Sequence, residues 1–441
     1  MIGGMVRSES ECKESVASET GSVENDSGSF CWSDNTQALI LGAYFYGYAA
    51  QPIPAFIAKQ FTGYTAFYRL WLLCAAALQF SLPALASISP TVVVVSQVVR
   101  GFFAGIMACY NFAFVPRWVI ASEKEIMISG FGVLASLGCG TSAFIAGLIS
   151  TSLGWQYVFY FSGSLFLLGL LLNVLFVQES PQQAWYLTKE EKDNISKEKS
   201  VDITRTDQEE ASMMSVICKV YLPAFCMYTI SFNFVLYNLI NVLPFYLNRV
   251  LKTSPLFLSY LNMGAFLAMS ISTIFCVCLV RVVDLYLPWL HCRMLFIVVP
   301  MALQVVYALV LPLISTPTGG VLIIAVSAVS GCTLFSGGLF LASYEMDPKN
   351  SPFLVSIFNS VGQISGFIGP ILMAAITETA ADTDNFEVVY KQKWAYFFYV
   401  TSGVAFSGCL AIVLAYVIKP SEWVNRSIKN VNEDVRDDAG L

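Results

Sequence analysis

The 441-residue chain is 56% hydrophobic and 12% charged, with a mean hydropathy of +0.65, whereas a soluble domain is about a quarter charged. This composition excludes an ordinary soluble protein, and the net charge of −6 sits in tails and loops, so it says little about partners. Apolar runs of roughly 18 to 25 residues, long enough to cross a ~30 Å hydrocarbon core, recur along the chain and are too continuous for barrel strands. The expected class is therefore an all-α polytopic membrane protein, because helices satisfy their own backbone in lipid.

In chain order, residues 1–34 come first, with seven acids, two bases and no apolar run. They are expected to be a solvated, disordered tail, neither signal peptide nor anchor. Hydropathy then predicts spans at 36–58, 68–87, 91–116, 128–150 and 155–177. A polar stretch, 178–221, follows, in which Thr188-Lys189-Glu190-Glu191 opens a short helix. Six further spans are predicted at 222–246, 256–281, 292–313, 321–343, 352–376 and 394–418. The plan is two helical bundles of 5 + 6 spans, 35–177 and 222–418, joined by the linker 178–221 and ending in a tail, 419–441.

Basic residues orient this array. With 178–221 in the cytoplasm, 17 of the 24 Lys and Arg fall on the cytoplasmic side, 6 fall opposite and one, Arg100, lies within a span. Residues 1–34 are then lumenal or extracellular and 419–441 cytoplasmic. The sequon at Asn25 agrees, whereas those at Asn194 and Asn425 face the cytoplasm and are discounted. The 12 cysteines are mostly scattered in apolar runs without CxxC pairs and read as buried thiols, so no metal or cofactor is expected. Cys12 and Cys31 are exceptions, since both lie in the polar tail and could pair in an oxidising compartment.

Five local sequences occur in order between about residues 33 and 423. They are Gly42-Ala43-Tyr44-Phe45-Tyr46-Gly47-Tyr48 before Ile53-Pro54; Gly154-Trp155-Gln156-Tyr157-Val158-Phe159-Tyr160; and Glu179-Ser180-Pro181 with Leu187-Thr188-Lys189-Glu190-Glu191. Then come Ile357-Phe358-Asn359-Ser360-Val361-Gly362, with Ser365-Gly366 and Gly369-Pro370, and Lys393-Trp394-Ala395-Tyr396-Phe397-Phe398. Together they resemble the anion and phosphate symporters of the major facilitator superfamily, the group of sialin, the vesicular glutamate transporters and the type I sodium-phosphate cotransporters. On that register the first span matches family helix 2, and family helix 1 has no counterpart. A shortened or incomplete chain is expected to account for this rather than a naturally reduced protein. Without that helix, part of the polar cavity would face lipid.

The resemblance implies a carrier of a small organic anion or inorganic phosphate that rocks two bundles about a midplane site. The alternative is a non-transporting scaffold or regulatory relative. No nucleotide loop, metal cluster or nucleophile-base constellation points to an enzyme. The implied partners are a small anionic solute, the lipid bilayer and Na+ or H+ as coupling ion, with no nucleic acid. A plasma-membrane and a lysosomal or vesicular address both stay open.

Arg100 is the only charge in the core of a predicted span, and at mid-membrane it costs about 2.5 to 3.5 kcal/mol without a partner or water. A cation facing the cavity would grip a carboxylate or phosphate, and its position matches an arginine of family helix 4. The alternative is snorkelling at the interface. Where proton-driven members have a glutamate seven residues on, this chain has Met107. Leu41 replaces a frequent histidine of family helix 2, and Phe232 an arginine found in the glutamate transporters. No Asp or Glu lies inside a predicted span, so weak proton dependence is expected; sodium held by backbone and hydroxyl oxygens, uniport or exchange all remain open.

Neutral polar stripes complete the candidate site: Tyr44 and Tyr48; Asn233, Tyr237 and Asn241; Asn359 and Gln363, each at helical i, i+4 spacing. They could orient a polar solute or form interhelical hydrogen bonds. Tyr237 coincides with a tyrosine of the family pattern. Gly101 with Gly105, and Gly362 with Gly366, are GxxxG pairs suited to close packing or gating.

Overall fold

The computed structural model describes residues 30–50, 64–120, 123–206, 221–243, 246–247, 255–313, 351–377 and 386–418, with isolated positions between 319 and 342. Asn25 and most of the predicted span 321–343 lie outside the described residues.

The first half contains α1 (Asp34–Ala49), α2 (Tyr64–Ile88), α3 (Pro90–Trp118), α4 (Lys124–Ser152) and α5 (Trp155–Phe176), followed by the linker helix α6 (Lys189–Thr206). The second half contains α7 (Tyr221–Tyr237), α8 (Pro255–Tyr286), α9 (Trp289–Val310), α10 (Ser351–Gly362), α11 (Ile364–Thr377) and α12 (Phe386–Ile418). Among the described residues, 8 helical segments are long and apolar enough to cross a membrane, and Leu39–Ala49 and Pro90–Gly105 are shorter apolar pieces. The chain is an integral, multi-pass, all-α membrane protein.

Two predicted elements take an unexpected form. The span expected as one helix at 352–376 is two, α10 and α11, parted at Gln363, whose N–H is shared between the Asn359 carbonyl (3.2 Å) and the Ser360 carbonyl (3.1 Å). Gly362 and Gly366 flank the break, the kind of position where helices bend. In addition, α7 continues into a π-helical turn, Asn238–Val242.

Local chemistry explains the helix ends. At α1, the Ser33 hydroxyl accepts from the Thr36 N–H at 3.3 Å, an ordinary N-cap. The cap of α2 comes from far along the chain: Glu179 accepts from the Thr65 N–H (3.3 Å) and hydroxyl (2.8 Å). Arg69 donates to Asn173 Oδ1 (3.1 Å) and the Val177 carbonyl (2.9 Å), and the Trp118 indole to the Gln178 carbonyl (3.2 Å). The start of the linker is thereby clasped to the first bundle. Helix α6 opens with a reciprocal capping box between Thr188 and Glu191. The Thr188 backbone N–H and hydroxyl hold the Glu191 carboxyl below its ordinary pKa. Between α4 and α5, Gly154 has φ +104°, a conformation that favours glycine.

Packing defines the halves. In the first, α1 lies on α3, and α2 packs between α3 and α5. In the second, α7 is the central element, packed on α10, α11 and α12, with Tyr228, Phe225, Phe232, Phe358, Trp394 and Phe397 in its core. The halves meet where α1 lies on α10 and α11, and where α4 lies along α8. Helix α4 touches its own bundle only lightly, and Gly138, Cys139, Thr141 and Ser142 on it are exposed. Near the start of α1, Phe30 stacks on Trp32 and meets the ring of Trp155 edge-on.

Candidate functional site

The site is built where α1 and α3 cross. A Cβ at Gly47 would collide with the Val98 carbonyl, and one at Gly101 with the Tyr44 carbonyl. Two glycines therefore let the backbones touch, the small-residue logic of membrane helix pairs. The crossing sets Tyr44 beside Arg100, with the guanidinium carbon 5.4 Å from the ring centroid. Arg100 Nη1 also donates to Gln79 Oε1 at 3.4 Å. Gln79, 4% exposed on α2, is fixed in turn because its Nε2 donates to the Ser162 hydroxyl of α5 at 2.8 Å.

Among the described residues no carboxylate pairs with Arg100. An amide oxygen and a ring face hold the guanidinium without neutralising it. Its positive charge is left uncompensated among the described residues.

Beside this cation runs a chain of neutral hydrogen bonds that crosses between the halves. The Tyr237 hydroxyl donates to Gln363 Oε1 (2.7 Å), Gln363 Nε2 to Asn359 Oδ1 (3.0 Å), and Asn359 Nδ2 to the Tyr48 hydroxyl (3.0 Å). Tyr44 and Tyr48 rings lie 5.8 Å apart, and Phe45 meets Tyr237 at 4.8 Å. Ser360 donates to the Ala49 carbonyl, a further link between α10 and α1.

The remaining candidates are distributed as follows. Asn233 is buried against Gly362 and donates to the Thr229 carbonyl of its own helix at 3.0 Å, so it stands apart from the chain. Asn241 belongs to the π-helical turn, but its side chain lies outside the described residues, as does that of Met107. Gly366 faces the Phe45 ring across the bundle boundary, and Gly105 is buried in α3. Phe232 is a core residue. Gln79, Ser162 and Ser360 were not anticipated from sequence; an isolated amide in an apolar run was the available signal for Gln79.

A model described as the Major Facilitator Superfamily matches residues 23–370. The chain is similar to human sialin, at 24% identity over 89% of this chain and 77% of that protein. It is also similar to mouse sodium-dependent phosphate transport protein 3, at 24% over 76% and 71% respectively. For bovine vesicular glutamate transporter 2 the values are 23%, 92% and 69%. Among solved structures, a bacterial homologue of the human lysosomal transporter Spinster, inward-facing and unoccupied, matches with TM-score 0.62 and 14% identity, over 89% of this chain and 91% of that one.

Proposed function

Because the chain belongs to the major facilitator superfamily, we propose that it carries a small organic anion or inorganic phosphate across a membrane by alternating access. The observation that carries this reading is Arg100, which is held by Gln79 and Tyr44 with no countercharge among the described residues, beside hydrogen bonds that span both halves. Two relatives are named for transport of phosphate and of glutamate, both anions. No covalent chemistry is involved; the protein is a carrier and not an enzyme.

In this mechanism Arg100 takes one anionic oxygen, or two through its planar fork. Tyr44, Tyr48, Tyr237, Asn359 and Gln363 orient the neutral part of the solute. A solute that replaces the Asn359–Tyr48 link with its own contacts changes how α10 is tied to α1. Binding then biases the arrangement of the two halves, since a ligand shifts an equilibrium by its differential contacts with the two states. The test is the melting temperature of the purified chain with phosphate, glutamate, sialic acid or urate, each against an uncharged analogue. An anion-specific rise that Arg100→Gln removes is expected; no rise with any of the four would refute the site.

Coupling follows from the same side chains. With no Asp or Glu in a predicted span, uptake should change little when a protonophore collapses the pH gradient at clamped membrane potential. Collapse of uptake under those conditions would contradict this.

For topology, we propose that 1–34 is lumenal or extracellular and that 178–221 and 419–441 are cytoplasmic, from the basic bias. Cys31 is disulfide-bonded, which fits an oxidising compartment. Glycan should be found on Asn25, and protease should reach the linker only from the cytoplasmic side. A glycan on Asn194 would invert the assignment.

A further inference from the structure

One side chain of the candidate site is also the joint of a helix. Gln363, 3% exposed, stands between α10 and α11, and its backbone N–H is shared between the Asn359 and Ser360 carbonyls. Its side-chain Nε2 donates to the same Asn359 carbonyl at 3.1 Å, besides Asn359 Oδ1. A side-chain donor inserted into the helical ladder in this way is one of the known causes of a helix break. The backbone bond it competes with, from the Gln363 N–H to the Asn359 carbonyl, is 3.2 Å long. Beyond the joint, the Gly366 N–H bonds the Gln363 carbonyl at 2.9 Å, a step tighter than that of an α-helix. Pro370, inside α11, has no N–H to offer the Gly366 carbonyl, which loosens the first turn of α11 further.

A second irregularity faces this joint. Helix α7 turns π-helical at Asn238–Val242, where the Leu243 N–H reaches back to the Asn238 carbonyl. Tyr237, the residue before that turn, donates its hydroxyl proton to Gln363 Oε1 at 2.7 Å. The two helices also touch on either side of this link: the Ser365 hydroxyl donates to the Ile230 carbonyl at 2.7 Å, and a Cβ at Gly369 would collide with Asn238 Oδ1. Both arms of the joint reach the other half as well. Asn359 and Ser360 of α10 bond Tyr48 and the Ala49 carbonyl, and Phe367 of α11 stacks on Tyr46 at 4.5 Å. A change at Gln363 therefore alters how α1 is held.

The Gln363 amide has two uses that exclude each other. While it serves the Asn359 carbonyl and Tyr237, the ladder between α10 and α11 stays open. Once a solute takes the amide, the Gln363 N–H has the Asn359 carbonyl without a competitor, and the ladder can close. We propose that Gln363 is a hinge controlled by its own side chain, which opens or closes the α10–α11 joint and passes the change to the π-helical turn of α7 through Tyr237. Control of the hinge by a solute rests on the carrier reading given above; the hinge itself does not.

The test is hydrogen–deuterium exchange of the purified full chain in detergent, first without any solute. Amides 363–366 should exchange at least about tenfold faster than amides 371–376 of the same helical segment. Gln363→Leu removes the competing amide and should slow 363–366 by about tenfold, while 238–242, deprived of the tie to Tyr237, speeds up about threefold. Such opposite changes separate a hinge from general loosening. If Gln363→Leu does not fold, Gln363→Met, unbranched and of similar length, takes its place. Tyr237→Phe should quicken both segments. Equal exchange along 363–376, or no slowing of 363–366 in the folded Gln363 variant, would overturn the hinge. The second arm adds whichever of phosphate, glutamate, sialic acid or urate raises the melting temperature. That anion should slow 363–366 in the wild type and leave Gln363→Leu unchanged; a bound anion without effect on 363–366 would overturn control by solute. Should none of the four raise the melting temperature, the carrier reading fails, and the solute-free rates still decide the hinge.

Discussion

Substitution of Arg100 by Gln is expected to lower anion uptake by about 100-fold at equal amounts of folded protein, the scale for removing one partner of a buried charge-assisted contact. Gln fills part of the arginine's volume and can still bond Gln79, so the bundle should fold. The anion loses the uncompensated cation that the structure sets between Tyr44 and Gln79. Arg100→Lys keeps the charge but loses the planar fork and the fit to the Tyr44 face, so an intermediate loss, about tenfold, is expected in affinity. A snorkelling arginine would give a different pattern, with Lys nearly neutral in uptake. Initial-rate uptake with a titrated labelled anion distinguishes the two: Lys and Gln variants indistinguishable from wild type would remove Arg100 from the mechanism. Gln79→Leu adds a check on positioning, since it should raise the half-saturating anion concentration while the maximal rate stays near wild type.

Substitution of Gly47 by Ala should destabilise the protein by about 3 kcal/mol, the upper part of the range for overpacking. The added carbon falls on the Val98 carbonyl, which belongs to a helix backbone and cannot rotate aside as a side chain would. Helix α1 would have to lift from α3, which also moves Tyr44 and Tyr48 away from Arg100 and Asn359. Gly138→Ala is the matched control, because nothing lies within 4 Å of a Cβ there, and it should be within about 0.5 kcal/mol of wild type. Melting of detergent-solubilised protein, followed by size-exclusion fluorescence, reads both. Equal melting of Gly47→Ala and wild type would show that α1 and α3 do not touch as described.

Much of the fold was legible because lipid imposes a simple rule, long apolar runs that close their own hydrogen bonds. The span predicted at 155–177 is α5, Trp155–Phe176, and the linker helix begins at the capping box that Thr188 and Glu191 announce. Hydropathy could not show the break at Gln363, because 352–376 is apolar on both sides of it. The π-helical turn after Tyr237 leaves no mark in composition either. Arg100 was legible as a lone charge in an apolar run, whereas its holder Gln79 is neutral, and its role depends on where α2 faces α3.

The polar stripes were legible helix by helix, but their meeting was not. Tyr48 and Asn359 stand 311 positions apart in sequence and become partners only through the packing of α1 on α10. Asn233 shares a helical face with Tyr237, yet the close approach of Gly362 fills the space in front of it, and its amide turns back to Thr229. Periodicity fixes which side of a helix a residue occupies; the partner depends on rotations and approach distances set by glycines elsewhere.

The most direct test of the central claim is uptake of labelled phosphate, glutamate, sialic acid and urate into proteoliposomes holding the purified chain, with empty liposomes and the Arg100→Gln chain alongside. Saturable uptake of at least one anion is expected, competed by the same unlabelled anion and nearly abolished in the Gln variant. Folded wild-type protein that gives no more uptake than empty liposomes for all four anions would contradict it.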